Sequence, residues 1–170
     1  NCLMAEQPNG DFGQTILRQF LISSFQVLQY GALGNSKDET LSALANKSLK
    51  EVVYHRRHSA DWVIRLGQGT AESARRMALA MDELWMYTED MFLTDDTDSI
   101  LVKDGIGIDT ATLREKWDED TRMVLKEAGI SLPEKSYAIR GGIQGRHTEH
   151  LGHLLSEMQS LHRAHPGATW

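Results

Sequence analysis

Apolar positions along the chain return at steps of three and four, the period of a helix with one buried face. Phe12, Ile16, Phe20, Ser23, Val27 and Tyr30 share a stripe that predicts a helix from Asp11 to near Gly31 and Gly34. Ser36-Lys-Asp-Glu39 then reads as a capping box, in which the serine takes an orphan amide and the glutamate reaches back. It opens a run free of Gly and Pro until Gly67, about 30 residues or on the order of 45 Å of helix. The inner stripe of this helix is predicted to be Leu41, Leu44, Ser48, Val52, His55, Ser59, Trp62 and Leu66. An element far above the usual length of about 11–12 residues belongs in a bundle.

Thr70 is the expected cap of a third helix, with Met77, Met81, Leu84, Thr88 and Met91 along one side. The Asp- and Gly-rich stretch from Thr94 to Asp109 reads as a loop with a short turn. Asp109 is placed as the cap of a helix carrying Leu113, Trp117, Val124 and Leu125, which stops at Gly129 before Pro133. After Arg140-Gly-Gly-Ile-Gln-Gly-Arg146, Thr148 is a candidate cap for a last helix. Leu151, Leu154, Leu155, Met158, Leu161 and His165 form its stripe, and Pro166-Gly167 halts it. No alternating run competes with these helices, and no repeat of solenoid period appears. The fold class is therefore an all-α bundle, expected as one domain over residues 1–170.

Composition narrows the function classes. With 18 Lys+Arg against 24 Asp+Glu the net charge is −6, the wrong sign for a nucleic-acid partner or an anionic membrane. No apolar run approaches the roughly 20 residues needed to span a bilayer. Cys2 is the only cysteine, which removes intrachain disulfides and cysteine-based zinc sites. The lack of an export signal points to the cytoplasm, and a start at Asn1 rather than Met suggests a processed or truncated piece.

Seven histidines in a bundle raise the question of metal. Di-metal carboxylate sites in four-helix proteins take a Glu from each of two helices and a Glu-x-x-His from each of the other two, so that all heads meet inside. Here Glu51 and His55, and Glu149 and His153, are each four apart, with Tyr54 and Gly152 at the third place. By helical angle Glu51 and His55 flank the inner stripe, while Glu149 and His153 fall nearly opposite theirs. A metal cage and a pair of ordinary surface ion pairs both remain open. The run from His55 to Arg65 gathers cations on one helix segment, with His58, Asp61 and Arg65 spaced for a charge ladder. It reads as a docking strip for an acidic partner or phosphates, or as a solvated face, with Trp62 an anchor into the core. Gly141–His147, ahead of a helix and flanked by cations, could hold an anion on its amides or could simply be a turn.

Several words of the sequence carry a resemblance. Glu6-Gln-Pro-Asn-Gly-Asp-Phe12, Arg18-Gln-Phe-Leu21, Leu49-Lys-Glu-Val52, Tyr54-His55 and the block His58–Gly67 come first. Gly145–Gly152, Leu154-Leu155, Glu157-Met-Gln159 and Pro166-Gly-Ala-Thr-Trp170 follow in order. Together they resemble the C-type subunit family of phenylacetyl-CoA 1,2-epoxidase over nearly the whole chain. The resemblance implies a ferritin-like bundle within a bacterial multicomponent monooxygenase of phenylacetate degradation. It implies a catalytic sister subunit holding di-iron and phenylacetyl-CoA, a further small subunit and an NADPH-dependent reductase. This chain would be the non-catalytic structural partner, with no cofactor or metal of its own, and the altered spacings at Glu51 and Glu149 fit a lost site. The alternative is a di-metal oxidase binding iron through Glu51, His55, Glu149 and His153.

Dense His and Arg beside aromatic or Met anchors is a composition favoured at interfaces. It nominates Arg57, His58, Trp62 and Arg65 on the long helix, and His150 and Met158 on the last one, as partner contacts. A third option is a CoA-phosphate contact at Gly141–His147. Family members are longer at the N-terminus by about two helices, so the chain is expected to be truncated relative to them. The stripes on Phe12–Tyr30 and Leu41–Leu66 should then need cover from those helices or from another subunit, since exposed apolar area costs about 25 cal/mol per Å². A soluble, monomeric, cooperatively melting chain in sedimentation and calorimetry would contradict that expectation.

Overall fold

The computed structural model describes residues 2–134 and 137–169, so Trp170, the end of the C-terminal word above, lies outside them. Every regular element among the described residues is helical. The α-helices are α1 (Phe12–Leu33), α2 (Glu39–Gly67), α3 (Ala71–Leu84), α4 (Asp96–Lys103), α5 (Arg114–Glu127), α6 (Glu149–Met158) and α7 (Ser160–Ala164), joined by short 3₁₀ turns.

Local chemistry sets most of the boundaries. The Asp11 carboxylate accepts the Gln14 N–H at 3.0 Å and starts α1. Thr70 and Ser73 form a reciprocal capping box on α3, and Asp95 and Asp98 do the same on α4. Each such cap satisfies donors that the first turn leaves unpaired. At α2 the cap is Asp38, which accepts from Leu41 N–H at 2.8 Å, and not Ser36 as the capping-box pattern suggests. The Ser36 hydroxyl instead donates to the Ile106 carbonyl at 2.7 Å. That bond, with Lys37 N–H on the Gly105 carbonyl at 2.9 Å, ties the α1–α2 turn to the loop after α4. Asp109 caps a 3₁₀ turn, Thr110–Leu113, that feeds into α5.

α1 runs through the middle of the bundle, packed against α2, with α3 and α5 against both. Leu17, Phe20 and Leu21 of α1 are fully buried among Met77, Met81 and Leu84, Val63, and Trp117 and Leu125. The Trp117 indole N–H donates to the Leu21 carbonyl at 3.1 Å, and its ring stacks on Trp85 at 5.7 Å and meets Phe92 edge-on at 5.3 Å.

Two stripes differ from expectation. On α2 the buried residues are Ala45, Val52, Ser59 and Val63; Leu44 and His55 are exposed and Trp62 is half-buried. Both α3 and α5 have only 14 residues against 29 in α2. Before Val52 only Ala45 is buried on α2. The final helix breaks at Gln159 into α6 and α7, and neither buries a side chain. Its apolar stripe, read as a packing face, is open: Leu154 is 52% exposed and Met158 71%.

Candidate functional site

The strip on α2 is an exposed aromatic and cationic surface. The Tyr54 ring stacks on the His58 imidazole, centroids 5.9 Å apart, and the Arg57 guanidinium sits 5.8 Å from the Tyr54 centroid. Two turns on, Arg65 lies 5.5 Å from the Trp62 ring, whose edge contact with Phe12 at 5.3 Å anchors it to the start of α1. Among the described residues Arg57, His58, Asp61 and Arg65 make no ion pair within 4.0 Å, so the expected ladder does not form. Instead the guanidinium groups rest on ring faces, an arrangement that keeps the charge available outward. A surface of this kind can take an acidic or polar partner.

The second exposed surface is the arm α6–α7, carrying Leu154, Leu155, Met158 and Leu161. Its root is held by two carboxylates whose part in the fold the sequence pattern does not reveal. Glu6, with its side chain 2% exposed, accepts the Thr148 N–H at 2.8 Å and the Thr148 hydroxyl at 2.9 Å, and its other oxygen meets His147 Nδ1 at 2.7 Å. Burial alone would raise the Glu6 carboxyl, but these hydrogen bonds outweigh it and hold the group below the ordinary carboxylate value. Asp90, also buried, accepts Gly141 N–H at 2.9 Å and Gly142 N–H at 3.0 Å on one oxygen, and Leu3 N–H at 2.9 Å on the other. Burial beside Asp90 pushes the Cys2 thiol up, which keeps it from acting as a ready thiolate.

This clamp corrects the anion-site reading of Gly141–His147. The amides of Gly141 and Gly142 and that of Thr148, just ahead of α6, do bind negative charge, but the charge is the chain's own. The four metal candidates are placed apart from a bundle interior: Glu51, His55, Glu149 and His153 are all exposed. Among the described residues no three His, Cys, Asp or Glu side chains group as a metal would require, and no ion pair joins Glu51 to His55 or Glu149 to His153. These positions do not fit the inward-facing carboxylate cage that a di-metal centre needs. His150 and Met158, nominated as partner contacts, are exposed on the arm.

A family described as phenylacetic acid catabolic protein matches residues 1–170. The chain belongs to this family. Among its relatives is the C-type subunit of the 1,2-phenylacetyl-CoA epoxidase of Escherichia coli (strain K12). The two are 41% identical over 170 residues, 100% of this chain and 68% of that protein. For this family member the all-helical architecture agrees with the ferritin-like bundle that the resemblance implied. The word Glu6–Phe12 that carried part of the resemblance has a structural purpose in it. Glu6 holds the root of α6, Arg18 donates to the carbonyls of Gln7 and Pro8, and Asp11 caps α1. No helix among the described residues is long and apolar enough to cross a membrane.

Proposed function

We propose that the chain is a structural, non-catalytic subunit of a phenylacetyl-CoA epoxidase complex, clasping a catalytic sister subunit that holds the di-iron centre. The observation that carries this reading is the arm α6–α7, which leaves the bundle with no buried side chain and an open apolar stripe. A helix with a free apolar face is stable in water only at a cost, and a partner face removes that cost. The α2 strip supplies a second contact, with Arg57, His58, Trp62 and Arg65 as its binding residues, and His150 and Met158 do so on the arm. The exposed placement of Glu51, His55, Glu149 and His153 supports leaving the iron, the electron supply from an NADPH-dependent reductase and the chemistry on O₂ to other subunits.

Co-purification tests the mapping. Arg57→Glu with Arg65→Glu should lower the yield of catalytic subunit recovered with this chain, and unchanged recovery would sink the strip as an interface. Metal analysis of the isolated chain tests the division of labour. Near-stoichiometric iron lost on Glu51→Ala would replace the structural reading with that of a di-metal oxidase.

A further inference from the structure

The segment that leads into the arm is rich in glycine, yet its root is pinned. Gly141 at φ 152° and Gly145 at φ 75° adopt backbone conformations closed to most L residues; beside them Arg140 reaches Glu89 at 3.3 Å, and between them Ile143 is half-buried. Ile139 N–H on the Met86 carbonyl at 2.9 Å holds the chain just before the turn. From Gly141 to Thr148 the buried contacts are a pair of carboxylates: Asp90 on the amides of Gly141 and Gly142, and Glu6 on Thr148 and His147. Both acids come from the opposite end of the sequence or from the turn after α3, so each bond joins the arm's root to the body of the bundle. Among the described residues the arm adds nothing to the core, whose members and packed neighbours end at Leu132.

We infer that Glu6 and Asp90 form a charge-held latch that sets the direction in which α6–α7 leaves the bundle, and that removing either charge frees the arm to swing about residues 141–148 while the bundle stays folded. The physical reason is the donor count. A carboxylate offers only acceptors, and hydrogen bonds to an ionised acceptor are roughly twice as strong as neutral ones. Both Asp90 oxygens accept from backbone N–H groups. In Asp90→Asn the new NH₂ must therefore face a donor, and one contact turns repulsive. Glu6→Gln is gentler, because its remaining oxygen can still take Thr148 while the charge is gone. Since no core side chain lies beyond the latch, opening it exposes little apolar surface.

Residue-resolved hydrogen exchange on the intact chain tests the latch. In the unaltered chain the amides of Gly141, Gly142 and Thr148 should be protected. In Asp90→Asn they should exchange about tenfold faster or more, with a smaller acceleration in Glu6→Gln, while the amides of α1 and α5 keep their rates. Equal protection of these amides in both variants would overturn the inference. So would acceleration of the α1 amides by the same factor, because the carboxylates would then hold the whole fold and not a hinge. If Asp90→Asn does not fold, Glu6→Gln decides by the same two outcomes.

Discussion

Trp117 joins three parts of the molecule through one side chain. Its N–H reaches the Leu21 carbonyl on α1, its face rests on Trp85 beyond α3, and the Arg114 guanidinium lies 5.6 Å from its ring. Trp117→Ala is expected to destabilise the fold by about 3–5 kcal/mol, measured by denaturant unfolding. Trp117→Phe keeps most of the packing and should cost less than half as much. At Glu6 the expectation concerns pH. Its carboxyl is lowered in the folded state from an ordinary value of 4.5. The folded chain therefore binds fewer protons than the unfolded one in the window between the two values. The stabilisation from Glu6 is complete above its unfolded value and is lost as pH falls through the lower folded one. An acid titration of stability should accordingly show a shallower fall below the ordinary carboxylate range in Glu6→Gln than in the unaltered chain. Identical limbs would mean that Glu6 contributes nothing through its charge.

Among the helices, two glycines give opposite expectations for the same substitution. Gly67 ends α2 where it crosses the end of α5, and an added Cβ would sit 2.2 Å from the Ala128 carbonyl oxygen. Backbone cannot yield there without moving a helix, so Gly67→Ala should destabilise by about 1–3 kcal/mol. Gly31, inside α1, has nothing within 4 Å of a built Cβ, and Gly31→Ala should stabilise by about 0.5–1 kcal/mol through helix propensity. Paired thermal melts check both signs. The contrast also shows what periodicity can carry. The existence of α1, α2, α3 and α5, the cap at Thr70 and the stripe Met77, Met81, Leu84 follow from spacing and local hydrogen bonding, which involve neighbours within one or two turns, whereas the stretch from Thr94 to Asp109, read as a loop with a short turn, holds the eight-residue helix α4. The closeness of Gly67 to Ala128 follows from a crossing of distant segments, as does the shift of the buried face on α2 from Leu44 and His55 to Ala45 and Val63. Spacing within one helix holds no information on how long its neighbours are.

For the molecule as a whole, the exposure of the α2 cations Arg57, His58 and Arg65 is legible in the sequence and the clamp is not. Arg57, His58, Trp62 and Arg65 announce themselves by type and spacing, whereas Glu6 and Asp90 are isolated acids whose partners lie 142 and 51 residues away for Thr148 and Gly141. The two exposed surfaces differ in chemistry, and on the proposed subunit reading that difference should appear in kinetics. Cations on the strip act at long range, so Arg57→Glu with Arg65→Glu should mainly slow association with the catalytic subunit and flatten its salt dependence. The arm acts by burying apolar area once contact is made, so Leu154→Asp with Met158→Asp should mainly speed dissociation. Because both side chains are more than half exposed, this second pair should leave the melting of the isolated chain within about 0.5 kcal/mol of the original. Surface plasmon resonance at two salt concentrations separates the effects. If the arm pair left dissociation unchanged, the open stripe would have to meet something other than the catalytic subunit. If it also collapsed the melt, the stripe would belong to the chain's own core after all.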